Sequence, residues 1–234
     1  MRSELKFKNR SSKEFGILAK CPHIPPAAHR IQVTEIPGGS PIIYDDGLKA
    51  IQTPNYDIGI IDANETKVLN TYAWLNGMGD LWLSCEPNVY FRNAVVNYVS
   101  VEYLSRKSAK ISVNFMCDSY RYAVENPVET LEFTKTSGNQ QNVWVNNPGS
   151  AVAQPQYELE ADGEVTIFVN SKYVTINRSG VTTLNTEDYT MMQDGNLIGI
   201  NTDLHELLLN PGNNLITVDG AGFRSLKIKK NARW

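Results

Sequence analysis

With 234 residues, 41% hydrophobic and 20% charged, the chain is long enough for one large or two modest domains with buried cores. No apolar run approaches the roughly 20 residues of a membrane span. The 22 Lys and Arg against 25 Asp and Glu leave a net charge of −3, with basic ends and an acidic middle. The basic residues form no cluster interleaved with aromatics and no known motif, which argues against nucleic-acid binding. The opening Met1–Lys8 alternates polar with apolar and holds no secretory apolar stretch, which predicts synthesis ending in a cytoplasm. Three widely spaced cysteines, Cys21, Cys85 and Cys117, fit reduced and mostly buried thiols rather than a disulfide framework.

Read for period, the chain is mostly strand. Strands are expected at Phe15–Ala19 and Arg30–Ile36, followed by turns at Pro37-Gly38-Gly39 and Asp45-Asp46-Gly47. One helix interrupts them. Asp62 and Glu65 have capping-box spacing, Val68, Leu69, Tyr72 and Leu75 make one stripe, and Gly77 supplies the stop. Strands resume at Val95–Leu104 and at Lys110–Asp118, where Ile111, Val113, Phe115 and Cys117 point to one side and polar residues mostly to the other. The polar, acidic passage at 123–132 marks a domain boundary, dividing the chain into 1–125 and 126–234. Further strands are expected at Val143–Val145, Tyr157–Ala161, Glu164–Val169, Tyr173–Ile176, Leu215–Val218 and Leu226–Ile228, with turns at Asp162-Gly163, Asp194-Gly195-Asn196 and Asn210-Pro211-Gly212 and a short helical turn at Asp203–Leu208. The fold class is therefore mainly β, two β-sandwich domains of which the first carries one α-helix.

The search for chemistry finds little, and the expectation is that the chain is no enzyme and holds no cofactor or metal. Cys21-Pro22-His23 with His29 is the only Cys/His concentration, and its spacing matches no zinc pattern. His205 stands beside Glu206, and adjacent helical positions do not face each other. There is no nucleophile elbow, dinucleotide fingerprint or Walker loop. Asp45-Asp46-Gly47 lacks the spaced oxygens of a calcium loop. Glu158 and Glu160 share one strand face opposite Leu159 and Ala161, so they read as solvent-facing rather than as paired catalytic carboxylates.

The order of local signals resembles the distal tail protein of long-tailed phages. The similarity runs from Leu5–Phe7 and Phe15-Gly16-Ile17 through Ile36-Pro37-Gly38-Gly39 and Tyr44-Asp45-Asp46-Gly47. It continues with Trp74-Leu75, Gly79-Asp80-Leu81-Trp82-Leu83-Ser84, Val89-Tyr90-Phe91-Arg92-Asn93 and Phe115-Met116-Cys117-Asp118-Ser119-Tyr120. In the second half it rests on Asn147-Pro148-Gly149, Leu209-Asn210-Pro211-Gly212 and Arg233-Trp234. The resemblance implies a ring-forming belt domain over 1–125 and a galectin-like jelly roll over 126–234. It further implies a structural role as a hexameric ring hub at the virion's tail tip. One face would meet the tail-tube protein and the other the tail-tip hub or fibre protein, with possible peripheral receptor-binding proteins, no membrane and DNA passing through the lumen. No connection exceeds an ordinary loop, so the sugar-binding insertions of some relatives are not matched.

Candidate interface residues follow from exposed loops and strand edges, which a head-to-tail contact can close into a ring. They are Gly38, Gly39, Tyr44, Asp45, Asp46 and Gly47 of one turn region and Arg106 and Lys107 of a second hairpin. Burial above roughly 1,200 Å² between neighbours is expected. The alternative is a carbohydrate-binding module in which Trp144 or Tyr157 forms a stacking platform. The apolar flanks in Val143-Trp144-Val145 instead favour core packing for Trp144.

Overall fold

Period-two burial organises both halves of the chain. The structure, a computed structural model, describes residues 3–22, 24, 28–199 and 204–234, and the backbone alone at Asp46, Gly47, Leu48, Tyr98 and His205. Two compact units divide between Val124 and Glu125.

In the first unit, β1 (Leu5–Phe7), β2 (Arg10–Ser11), β3 (Ile17–Ala19), β4 (His29–Thr34), β5 (Ile42–Lys49) and β6 (Asn55–Ile61) precede α1 (Glu65–Leu75). After it come β7 (Met78–Leu83), β8 (Val89–Ser105), β9 (Ser108–Met116) and β10 (Arg121–Ala123). One sheet runs β2-β1-β7-β8-β9-β6-β3, with β10 beside β8. Just before β1, the Ser3 N–H donates to the Ala19 carbonyl at 3.0 Å, so the segment leading into β1 meets β3 and the sheet closes on itself. Closure leaves fewer free strand edges. The alternation expected in β9 holds, since Ile111, Val113, Phe115 and the following Cys117 are all buried. Phe115 meets Phe7 edge-on, with ring centres 5.4 Å apart.

The helix lies where expected but turns a different face inward. Its N-cap is Asn64 rather than Asp62, the Asn64 side chain accepting from the Lys67 N–H at 2.8 Å. Gly77, at φ 93°, follows its end. The buried residues are Val68, Thr71, Trp74 and Leu75, while Leu69 is exposed. Trp74 decides this, because a buried indole needs a partner for its N–H. Its Nε1 donates to the Phe7 carbonyl at 3.0 Å and its ring stacks on Phe15 at 4.6 Å. Phe15 is reached through a 3-10 turn, Ser12–Phe15, which reciprocal bonds between Ser11 and Glu14 cap. The strand expected from Phe15 therefore begins only at Ile17.

The second unit contains β11 (Val128–Thr130), β12 (Thr134–Ser137), β13 (Gln140–Asn147), β14 (Gln156–Val169), β15 (Lys172–Asn185), β16 (Thr190–Gln193), β17 (Asn196–Ile198), β18 (Gly212–Asp219) and β19 (Phe223–Lys229). A 3-10 turn, Leu204–Leu207, stands where a short helix was expected, and Asp203 lies outside the described residues. The sheet runs β12-β13-β18-β14-β15-β16-β17, with β19 joining β14 to β11. The first half of β14 pairs with β19 and its last four residues with β18. One long strand thus serves both layers, and their inward residues Val145, Leu159, Ile167, Ile216 and Leu226 share one core.

Asp162-Gly163, expected to be a turn, lies inside β14. The strand bends instead of reversing, with Gly163 at φ 110° and Gly180, in the paired β15, at φ 104°. At the same point a Cβ on Gly222 would lie 2.1 Å from the Asp162 carbonyl oxygen, so only glycine permits that approach.

Two buried asparagines hold the turns of the second unit. The Asn147 amide donates to the carbonyls of Ala151 and Leu209 at 3.0 and 3.1 Å, while its oxygen accepts from the Gly149 N–H at 3.0 Å. The Asn214 amide donates to the carbonyls of Asn210 and Gly212, both at 2.8 Å, and its oxygen accepts from the Asn210 N–H at 2.8 Å. These bonds give the two Asn-Pro-Gly segments their shape and leave both side chains satisfied.

Candidate assembly surface

Among the described residues, one two-stranded ribbon has no opposite layer to cover it. β4 and β5 pair only with each other, forming an arm in which every β4 residue is exposed. Its tip is a turn at Ile36-Pro37-Gly38-Gly39, closed by the Gly39 N–H donating to the Ile36 carbonyl at 3.0 Å, with Gly38 at φ 77°. Proline second and a positive-φ glycine third are what a type II turn requires. Asp45-Asp46-Gly47 does not form the second expected turn, because β5 runs through it with Asp45 opposite Ile31. At Asp46 and Gly47 the backbone alone is described.

Cross-strand register sorts the arm into faces. Ile31, Val33, Ile43 and Asp45 share one, with Val33 opposite Ile43, and Gln32, Thr34, Ile42 and Tyr44 share the other. Ile31, Val33, Ile42, Ile43 and Tyr44 are each more than half exposed. His29 Nδ1 lies 3.0 Å from Asp45 Oδ2, and at the root the Ser119 hydroxyl donates to the Lys49 carbonyl at 2.9 Å. An isolated two-stranded ribbon is marginal in water, and contiguous exposed apolar side chains of this kind mark interaction surfaces. The apolar members of this patch are absent from the interface residues expected from sequence, Tyr44 excepted. Their signal is Pro41-Ile42-Ile43-Tyr44, which is apolar on both strand faces without a second layer to bury either.

The second expected loop is the tight β8–β9 hairpin, with Ser105 opposite Ser108 and both Arg106 and Lys107 exposed. The Lys107 carbonyl accepts from the Ala63 N–H at 3.0 Å, which ties this turn to the start of the helix rather than to the root of the arm. Beside α1 lies an open groove of about 600 Å³ whose lining includes Tyr72, Leu75, Val95, Val96 and Val99. Leu69 of α1 and Met78 at the start of β7 are also more than half exposed.

The other sequence candidates separate. Tyr157 is completely buried and its hydroxyl donates to the Leu207 carbonyl at 3.0 Å, so it offers no platform to a sugar. Trp144 is 67% exposed and not in the core. Inward positions on β13 are odd-numbered, so Trp144 is placed on the solvent face opposite Leu215. Glu158 pairs with Lys227 at 2.6 Å and Glu160 accepts from the Ser225 hydroxyl at 3.0 Å. Cys21 and Cys85 are exposed and only Cys117 is buried, which corrects the expectation of mostly buried thiols. His23 lies outside the described residues. No group of three or more His, Cys, Asp or Glu able to hold a metal occurs among the described residues.

No protein-family model and no curated protein matches the chain. Among solved structures, the Dit protein of phage SPP1, described as a paradigm of the hub adsorption apparatus in phages infecting Gram-positive hosts, is similar at a TM-score of 0.78 and 15% identity, over 100% of both chains. A chain of the phage p2 baseplate in its activated conformation with Sr gives a TM-score of 0.46 at 10% identity, over 99% of this chain and 98% of that one. From its first strand to its last, this polypeptide has the fold of the SPP1 Dit protein.

Proposed function

We propose that the chain is the structural distal tail protein of a long-tailed phage, six copies of which close into a ring hub in the virion's tail tip. The observation that carries this reading is end-to-end agreement with the fold of a hub adsorption protein. The apolar arm supports it from physical chemistry. A projecting ribbon that fits a different patch on the next copy makes a head-to-tail contact, and such contacts close when their rotation divides a full turn. The groove beside α1 is a partly apolar surface of the same unit on which a neighbour's arm could seat. One ring face would take the tail-tube protein, the other the tail-tip hub or fibre protein, and DNA would pass through the lumen without sequence-specific contact. The first unit would serve as the belt and the second as a galectin-like sandwich. The role is mechanical, not enzymatic.

Light scattering on the full chain tests this. The expected mass is six times the 26.2 kDa protomer, with ring-shaped particles in micrographs. A monomer at every concentration, combined with micrographs of the virion lacking this polypeptide at the tail tip, would overturn the reading.

A second reading is favoured by Trp144 alone. Its exposed indole on a sheet face, with the strand neighbours Asn142 and Asn146 on the same side, suits stacking against a sugar ring. Glycan-array binding that Trp144→Ala abolishes would support this reading, and a ring that binds no glycan would exclude it.

A further inference from the structure

Four separate segments meet at one rim of the closed sheet in the first unit. The β3–β6 register, with Ile17 opposite Ile60 and Ala19 opposite Ile58, runs on to place Cys21 opposite Tyr56. On the other side, Leu5 lies opposite Leu83 and the Ser84 N–H donates to the Glu4 carbonyl at 2.9 Å, so the next pair is Ser3 with Cys85. The Ser3–Ala19 bridge sets the Ser3–Cys85 pair level with Ala19 and Ile58, one inward position from Cys21 and Tyr56. Strand parity then decides where the side chains go. Ser3, Cys21, Tyr56 and Cys85 are each two residues from, or in step with, the buried Leu5, Ala19, Ile58 and Leu83. All four therefore have inward parity, at the end of the sheet that opens to solvent.

The contacts agree with that parity. The Cys85 thiol lies against the Cys21 thiol, and both cysteines are exposed. Beneath them sits the Tyr56 hydroxyl, close to Cys85, Cys21 and Ser3, but without a hydrogen-bond partner among the described residues. A hydroxyl left unsatisfied below two sulfurs is compatible with a rim built around those sulfurs rather than around a polar network.

We propose that Cys21 and Cys85 form an oxidisable pair that closes to an intramolecular disulfide on exchange with a small disulfide such as glutathione disulfide. One cysteine thiolate attacks a glutathione sulfur and expels one glutathione thiolate, giving a mixed disulfide. The second cysteine thiolate attacks the protein sulfur of that bond and expels the other glutathione. In sum, two thiols lose two protons and two electrons, and glutathione disulfide is reduced to two glutathiones. Burial pushes the Cys85 thiol up to about 11, the adjacent Cys21 adding to the shift, so exchange accelerates as the pH rises from neutral. Cys117 does not compete, being buried with its thiol pushed up to about 12. The bond would pin the segment that leaves β3 to the turn between β7 and β8. It does not depend on the tail reading.

The test is incubation of the full chain with glutathione disulfide at mildly alkaline pH, followed by intact mass and non-reducing peptide mapping. The expected result is a loss of two hydrogens, a Cys21–Cys85 linked peptide and a raised melting temperature that dithiothreitol reverses. Cys85→Ser should retain one glutathione on Cys21 and form no bridge. Stable glutathione adducts on both cysteines of the unmutated chain, or unreacted thiols, would overturn the proposal.

Discussion

Replacing Val33 and Ile43 together by serine separates adhesion from folding. The two face each other across the arm and are 59% and 67% exposed, so neither is supporting the fold of its own chain. Full burial of such a side chain is worth about 1.5–3 kcal/mol, and the fraction still open to be covered leaves about 1–2 kcal/mol for each, or about 2–4 kcal/mol for the pair at one contact. At about 1.4 kcal/mol per factor of ten, the dissociation constant of that contact should rise about 30- to 700-fold. In the proposed ring the contact repeats at every junction, so the assembly should fall apart over a narrow concentration range. Light scattering across a dilution series reads this directly, and a thermal melt of the dissociated protein serves as the control. The melting temperature should be unchanged, because the replaced side chains were already in water. An assembly mass that survives the double substitution, or a melting temperature that collapses with it, would refute the assignment of the arm as the adhesive element.

Trp74→Ala should cost the first unit about 3–5 kcal/mol in urea unfolding, since it removes a buried ring and its bond to Phe7. Asn214→Ala strips the Asn210–Gly212 turn of its internal partners and should cost the second unit at least about 1–3 kcal/mol by the same measurement. Tyr56→Phe should change stability by less than about 1 kcal/mol, because the lost hydroxyl has no hydrogen-bond partner among the described residues. Bonds from Lys13 and Ser11 hold the Glu4 carboxyl below its ordinary range, and Ser112 and Lys110 do the same for Asp57. A depressed folded pKa gives stability that is present above the unfolded value and lost as pH falls through the folded one. The urea midpoint of the first unit should therefore drop below about pH 4, and Glu4→Gln should flatten that dependence.

Much of the fold was legible wherever a strand buries one face. Ile111, Val113 and Phe115 alternate in the sequence and are buried in alternation, because the pleat sends successive side chains to opposite sides. The helix was legible in its extent and its glycine stop, but not in its orientation. Leu69 and Trp74 are equally apolar on paper, and only the position of Phe7 and Phe15 gives the indole a partner. Asp162-Gly163 and Asp45-Asp46-Gly47 read as turns because glycine after aspartate permits reversal, yet the chain runs on through both, β14 bending while it stays paired with β15 and β5 crossing a register shift opposite β4. Trp144, whose apolar flanks favoured the core, is exposed for a similar reason, while Tyr157, a platform only in the sugar-binding alternative, is buried. Val143 and Val145 flank Trp144 on the inward parity of β13, and which parity faces inward is a property of the opposite layer.

Residue order alone determined the local periodicities, the helix and the sequence of landmarks, since these depend on neighbours a few positions away. Only the tertiary structure decided that the first sheet closes through Ser3 and Ala19, that the β4–β5 arm is left without a covering layer among the described residues, and that Cys21 and Cys85 come to one rim. The physical reason is that burial is settled between segments distant in the chain. An apolar side chain has the same appetite for cover wherever it stands, and the sequence does not say whether its own chain or another copy supplies it.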